Sequence, residues 1–173
     1  MLSFRTVTPD TLELLKALMS APELSSLRLV GGTALALQYG HRVSVDLDLF
    51  GEVTIDKFEL LSLLQGLGEV RVINETKNIH QYFVNGIKVD IVNYPYSWID
   101  APVEDDSIRL ASPKDIAALK INAIEGRGTK KDFIDMYLLL QHYSLEEILT
   151  FYQQKYPNYS IFRALRSLTY FDD

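Results

Sequence analysis

Residues 29–51 read LVGGTALALQYGHRVSVDLDLFG. An apolar run meets Gly31-Gly32, "TALALQYG" follows with helical character, and residues 44–50 then alternate. Successive side chains in a strand point to opposite faces, so Val45, Leu47 and Leu49 share one face while Ser44, Asp46 and Asp48 share the other. The order is strand, glycine turn, short helix, strand. On that strand Asp46 and Asp48 stand about 7 Å apart along the chain. Two carboxylates so placed repel each other, which leaves two readings: the face is open to water, or a cation sits there.

Working outward, Thr8-Pro9-Asp10 supplies a cap, a first-turn proline and an early acid for a helix through "TLELLKALM". "LRLV" at 27–30 reads as a short buried strand. Residues 54–67 carry amphipathic helical spacing, and "EVRVIN", "IHQYFVN" and "IKVDIVNY" read as strands. Asn85-Gly86 between the last two is a strong short-range hairpin signal. Ser112, Pro113 and Asp115 open a helix that stops near Gly126 or Gly128. "KKDFIDMYLLLQHY" makes a second, Ser144 with Glu147 caps a third, and "SIFRALRSLTYF" forms a last one. The fold class is therefore α+β. A small mixed sheet backed by helices occupies residues 1–107, and a helical bundle at 108–173 packs with it as one compact unit.

With 173 residues the chain can bury a core without staples, and 47% hydrophobic with 23% charged content is that of a globular protein. It has no cysteine, so disulfides and thiolate metal sites are excluded. Its three histidines, His41, His80 and His142, lack zinc-like spacing. The N-terminus lacks a signal pattern and no apolar run approaches the roughly 20 residues of a membrane span, so a cytoplasmic location without membrane contact is expected. A net charge of −6 argues against an extended DNA-binding surface but is compatible with a local basic groove.

A D-x-D strand suits a hard divalent cation, which takes carboxylate oxygens from the protein and the rest from water and substrate phosphates. "IKVDIVNY" adds Asp90, the one acid in an apolar run, on the face opposite Ile87, Val89 and Ile91. If that strand neighbours residues 44–50, three carboxylates converge, as two-metal phosphoryl or nucleotidyl transfer requires. The alternative for Asp90 is a solvated edge strand. Gly31-Gly32, at a strand end and a helix start, lets backbone amides approach phosphate, with the Thr33 hydroxyl as a further donor; a tight turn capped by Thr33 reads equally well.

The long pattern Gly-Gly-Thr, short helix, Gly-His-Arg-x-Ser-x-Asp-Leu-Asp-Leu-Phe resembles the AbiEii/AbiGii-type nucleotidyltransferase toxin family, within the DNA polymerase β-like nucleotidyltransferase superfamily. The resemblance covers about residues 25–140. It implies that Gly31, Gly32 and Thr33 hold nucleotide phosphates; Arg42, from its place before the strand, is a candidate to reach the same phosphates, and Ser44 is a further binding candidate. It also implies that Asp46, Asp48 and Asp90 bind two magnesium ions, manganese being the alternative. "LKINAIEGRGTKKDFIDMYLL" is similar to a later family block through Lys120, Arg127, Asp132 and Asp135. There Lys120 would meet the triphosphate and Asp135 orient it. The residues alone support a second reading, a buried Lys120–Asp135 ion pair joining two helices, because Lys120 shares an apolar face with Ile116, Ala117 and Ile124. Arg42 reads equally as satisfying a carboxylate or loop carbonyls. His80 reads as a surface strand residue. The aromatics Phe151, Tyr152, Tyr156, Tyr159, Phe162, Tyr170 and Phe171 read as core packing, with base stacking on RNA as the alternative.

The expectation is a magnesium-dependent enzyme that moves a nucleoside monophosphate from an NTP to an acceptor hydroxyl. The resemblance implies a toxin of a bacterial toxin–antitoxin or phage-defence system, with a cognate antitoxin and tRNA or protein as acceptor. Two further readings use the same residues: a catalytically silent nucleotide-binding module, and a transferase acting on a small antibiotic-type molecule.

Overall fold

Asn85 and Gly86 take positive φ of 50° and 79°, the backbone a two-residue hairpin with matching twist demands. They join β4 (Ile79–Val84) to β5 (Ile87–Asn93) in a computed structural model that describes residues 1–169. Tyr170 and Phe171 lie outside the described residues. The chain forms two compact units, residues 1–95 with 102–110, and residues 96–101 with 111 onward.

The first unit holds a seven-stranded mixed sheet in the order β3-β4-β5-β2-β1-β7-β6. Its other strands are β1 (Arg28–Val30), β2 (Leu47–Gly51), β3 (Val70–Glu75), β6 (Val103–Asp105) and β7 (Ile108–Leu110). β2 runs antiparallel to β1 and parallel to β5, and β1 runs parallel to β7. Helices α1 (Pro9–Ser20), α2 (Gly31–Tyr39) and α3 (Lys57–Gln65) belong to this unit. Thr8 caps α1 by accepting from the Thr11 amide at 3.2 Å, with Pro9 in the first turn. Alternate residues of β2 and β5, Leu47, Leu49, Val89 and Ile91, are buried and form the sheet's share of the core with Leu35, Leu37 and Tyr82.

Two features stand outside the sequence reading and a third corrects it. The hairpin β6–β7 was not expected: Asp106 and Ser107 adopt φ of 50° and 63° at its turn, a geometry usually announced by glycine or asparagine. Arg109 on β7 is engaged by donating to the carbonyls of Leu27 (3.0 Å), Met19 (3.1 Å) and Leu24 (3.0 Å). His80 is buried, not on the surface, because its Nδ1 finds Glu75 at 3.0 Å across the β3–β4 ladder.

The second unit is built on α4 (Pro113–Gly126), which packs against α5 (Lys130–His142), α6 (Leu145–Lys155) and α7 (Ile161–Leu168). Phe151, Tyr152 and Tyr156 are buried and meet the core-packing reading, whereas Tyr159 and Phe162 are exposed. Lys155, fully buried, pairs with Asp115 at 2.8 Å and lies 4.5 Å over the Trp98 ring. Asp115 also accepts from the amides of Ile99 (2.8 Å) and Asp100 (3.2 Å), tying residues 96–101 to the bundle. Among the described residues no helix is long and apolar enough to cross a membrane.

Candidate active site

The parallel register of β2 and β5 sets Asp48 directly beside Asp90. The antiparallel register of β1 and β2 sets Asp48 beside Val30, the residue before Gly31. Gly31 adopts φ +72°, and a Cβ added there would meet Asp48 Oδ2 at 2.7 Å. The Asp48 carboxylate thus leans over the glycine turn at the start of α2, so the phosphate-binding and cation-binding candidates of this sheet adjoin. Only a residue without a side chain leaves room for that approach.

Asp90 is unevenly satisfied. Its Oδ2 accepts from Gln81 Nε2 at 3.2 Å and lies 3.3 Å from Lys88 Nζ, while its Oδ1 is buried without a hydrogen-bond partner. A buried carboxylate oxygen left unsatisfied carries a desolvation cost that a ligand relieves. The donors are carboxylate oxygens, which suit magnesium or manganese over softer metals. The residues on this face therefore fit a hard divalent ion.

Asp46 sits differently from the expectation. The strand begins at Leu47 rather than residue 44, and in the lead-in Ser44 is buried while Val45 is half exposed, reversing the expected faces. The cause is local. The Thr33 hydroxyl donates to the Asp46 carbonyl, which draws that peptide toward α2, and the Ser44 amide bonds the Thr6 carbonyl at 2.9 Å. Having given its proton to Asp46, Thr33 must accept from the Ser44 hydroxyl at 2.7 Å. Thr33 is 1% exposed, so both hydroxyls bind the protein itself and fix the lead-in to the helix start. The three carboxylates do not gather into one cluster: among the described residues no group of three acidic or histidine side chains is close enough to hold a metal ion together. Register brings Asp48 and Asp90 together, and Asp46 stands one step off the ladder. Arg42 Nη1 donates to the Val43 carbonyl at 3.1 Å, the loop-carbonyl role left open by the sequence.

In the second unit Lys120 is 4% exposed and lies 2.9 Å from Asp135 and 3.2 Å from Asp132, so the buried pair between helices is present and holds a second aspartate. Asp132 also accepts from Arg127 at 3.0 Å and from the Thr129 amide and hydroxyl at 3.1 and 2.9 Å, completing the capping box of α5. Burial pushes the Asp132 carboxyl up, but the Arg127 hydrogen bond, the Lys120 charge and the Thr129 hydroxyl outweigh it and hold it far below the ordinary carboxylate range. The Lys155–Asp115 pair has no signal in the sequence, because helical spacing marks Lys155 only as a last-turn cation of α6.

The fold recurs in solved structures. ANT(2'')-Ia in complex with adenylyl-2''-tobramycin superposes with a TM-score of 0.65 at 19% identity, over 88% of this chain and 100% of that one. JHP933 from Helicobacter pylori gives 0.56 at 18% identity, over 94% and 90% of the two chains. The nucleotidyltransferase toxin MenT4 from Mycobacterium tuberculosis H37Rv gives 0.51 at 15% identity, over 84% of this chain and 65% of that one. These identities speak for the fold alone. In sequence, the uncharacterized protein aq_aa25 of Aquifex aeolicus (strain VF5) is 33% identical over 175 residues, covering 98% of this chain and 85% of the relative. The family model described as "Nucleotidyl transferase AbiEii toxin, Type IV TA system" matches residues 13–165. A match of that extent takes in both compact units, and this chain belongs to the AbiEii nucleotidyltransferase toxin family.

Proposed function

We propose that the protein transfers a nucleoside monophosphate from an NTP to an acceptor hydroxyl, and that it does so as the toxin of a toxin–antitoxin pair with RNA, tRNA foremost, as acceptor. The acceptor oxygen bonds to the α-phosphorus, the bond from that phosphorus to the bridging oxygen breaks, and pyrophosphate leaves. The observation that carries the reading is the adjacency of Asp48, Asp90 and Gly31, with Asp90 Oδ1 buried and unsatisfied.

Asp48 and Asp90 would hold magnesium, or manganese, with Asp46 closing on them from the lead-in. When bound, such ions acidify a coordinated hydroxyl and neutralise phosphate charge. Gly31 and Gly32 offer backbone amides at the α2 N-terminus, where the helix dipole favours phosphate. Thr33 and Ser44 act as positioning residues, because their hydroxyls anchor the Asp46 peptide. Asp90, whose Oδ1 can accept a proton, receives the one lost by the acceptor. Arg42 is assigned to the phosphate rim. Lys120 is assigned to countering charge on the leaving pyrophosphate, with Asp135, 2.9 Å away, orienting its ammonium.

The test incubates purified chain and magnesium or manganese with each α-labelled NTP and, in turn, total tRNA, protein and aminoglycoside-type small molecules. Label should enter RNA, and Asp46→Asn and Asp90→Asn should each lose transfer on the order of 100-fold while melting like the parent. Full metal-dependent transfer by both variants would sink the site assignment. Label on a small molecule would shift the acceptor class to the antibiotic-type alternative, and NTP binding without pyrophosphate release would favour the silent module.

A further inference from the structure

A cavity of about 380 Å³ in the second unit is lined by Ile124, Glu125, Arg127, Arg163, Arg166 and Ser167, with Gly126 and Gly128 between them. That volume lies within the range of about 300–1,000 Å³ typical of small-ligand sites. Three arginines and one glutamate line it in a chain whose net charge is −6, and one of the three, Arg127, is paired with Asp132. The carboxylate is itself engaged, since Glu125 accepts from the Tyr152 hydroxyl at 2.8 Å.

Three positions resist a structural explanation. Arg166, in the last turn of α7, gains from the helix dipole, but Arg163 lies a turn earlier and is exposed. Next to the cavity in sequence, Lys130 and Lys131 open α5, and cations at a helix N-terminus are disfavoured by its dipole. Arg127 is oriented by Asp132, which accepts from Nε at 3.0 Å and Nη2 at 3.0 Å, so its guanidinium is fixed before any ligand arrives. On α7, Phe162 is 74% exposed and stands one helical turn before Arg166, outside the cavity lining.

Resting on the RNA-acceptor reading above, we propose that this cavity grips the phosphodiester backbone of a single-stranded acceptor RNA through Arg127, Arg163 and Arg166. Guanidinium forks match phosphate oxygens in pairs, and Phe162 supplies a stacking face that a free phosphate would not use. The charge is local, so the overall acidity of the chain is no obstacle.

The experiment measures binding of a fluorescein-labelled single-stranded RNA and of tRNA by anisotropy, without NTP, across a salt series. Arg163→Gln/Arg166→Gln is compared with the parent and with Lys57→Gln/Lys77→Gln, which removes the same charge elsewhere. Thermal melts check folding, which these exposed positions should preserve. The arginine pair should weaken RNA binding about tenfold or more and lower the salt slope by about 1.4, while the lysine pair leaves both near parental values. Equal losses in the two double variants would overturn the site, as would competition by inorganic phosphate as effective as competition by RNA. Because binding is read without turnover, a failed site leaves the transfer chemistry testable through Asp90→Asn. If the parent transfers label only to a non-RNA acceptor and binds no RNA, the acceptor reading fails, and this site with it.

Discussion

Gly31→Ala tests the link between the glycine turn and the aspartate strand. At φ +72° an alanine pays for the left-handed backbone with about 1–2 kcal/mol. The new Cβ would also stand 2.7 Å from Asp48 Oδ2, against the 3.4 Å at which ordinary contact begins, so the carboxylate must retreat by about 0.7 Å. Because Oδ2 is the far end of a rotatable side chain, the retreat adds only about 0.5–1.5 kcal/mol of rotamer strain. Its consequence for chemistry is larger, since a reacting-site group misplaced by about 1 Å costs on the order of 100-fold in rate. Gly86→Ala is the matched control: φ is +79° and nothing lies within 4 Å of the added carbon. Gly86→Ala should lose a few degrees of melting temperature and Gly31→Ala somewhat more, given about 2–4 °C per kcal/mol for a chain of this size. Only Gly31→Ala should lose transfer, measured as pyrophosphate release at saturating NTP. Rates within threefold of each other would mean that the Asp48 position over Gly31 has no part in catalysis.

Lys120→Met should cost about 3–5 kcal/mol by stranding buried aspartates, and Lys120→Met/Asp135→Leu should recover part of it. Trp98, the single tryptophan and a member of the same unit, reports the urea transition; a loss under about 1 kcal/mol refutes the burial argument, and transfer by the folded double variant tests the phosphate role. Asp132 has its folded pKa below the ordinary 3.8, so its contribution to stability is complete above that value and is lost as pH falls toward the folded pKa. The urea midpoint of the parent should therefore drop between pH 5 and pH 3, and Asp132→Asn, less stable throughout, should drop less; parallel profiles would refute the assignment. Thr33→Val keeps the shape and removes both hydroxyl bonds, which should cost about 1–3 kcal/mol and lower transfer by freeing the Asp46 lead-in; unchanged melting and rate would show that the anchor is idle.

What could be read in advance follows from the range of the interactions involved. Caps at Thr8, Ser112 and Ser144 and the Asn85-Gly86 turn are fixed by contacts within a few residues, and the structure has them. The β6–β7 hairpin is just as local, yet Asp106 and Ser107 reach positive φ without the residues that advertise it. Alternation held for β2 only from Leu47, because a side chain from another element, Thr33, captured the Asp46 carbonyl before the ladder could. Such tertiary hydrogen bonds have no period in sequence. The same holds for Lys155 with Asp115 and for Arg109 with three carbonyls, whose partners lie tens of residues away. For the site, alternation marked Asp48 and Asp90 as members of polar faces, but their adjacency depended on β2 and β5 running parallel in one register. A shift of one residue would turn Asp90 to the opposite face from Asp48, so the site is a property of strand pairing before it is a property of the acids themselves.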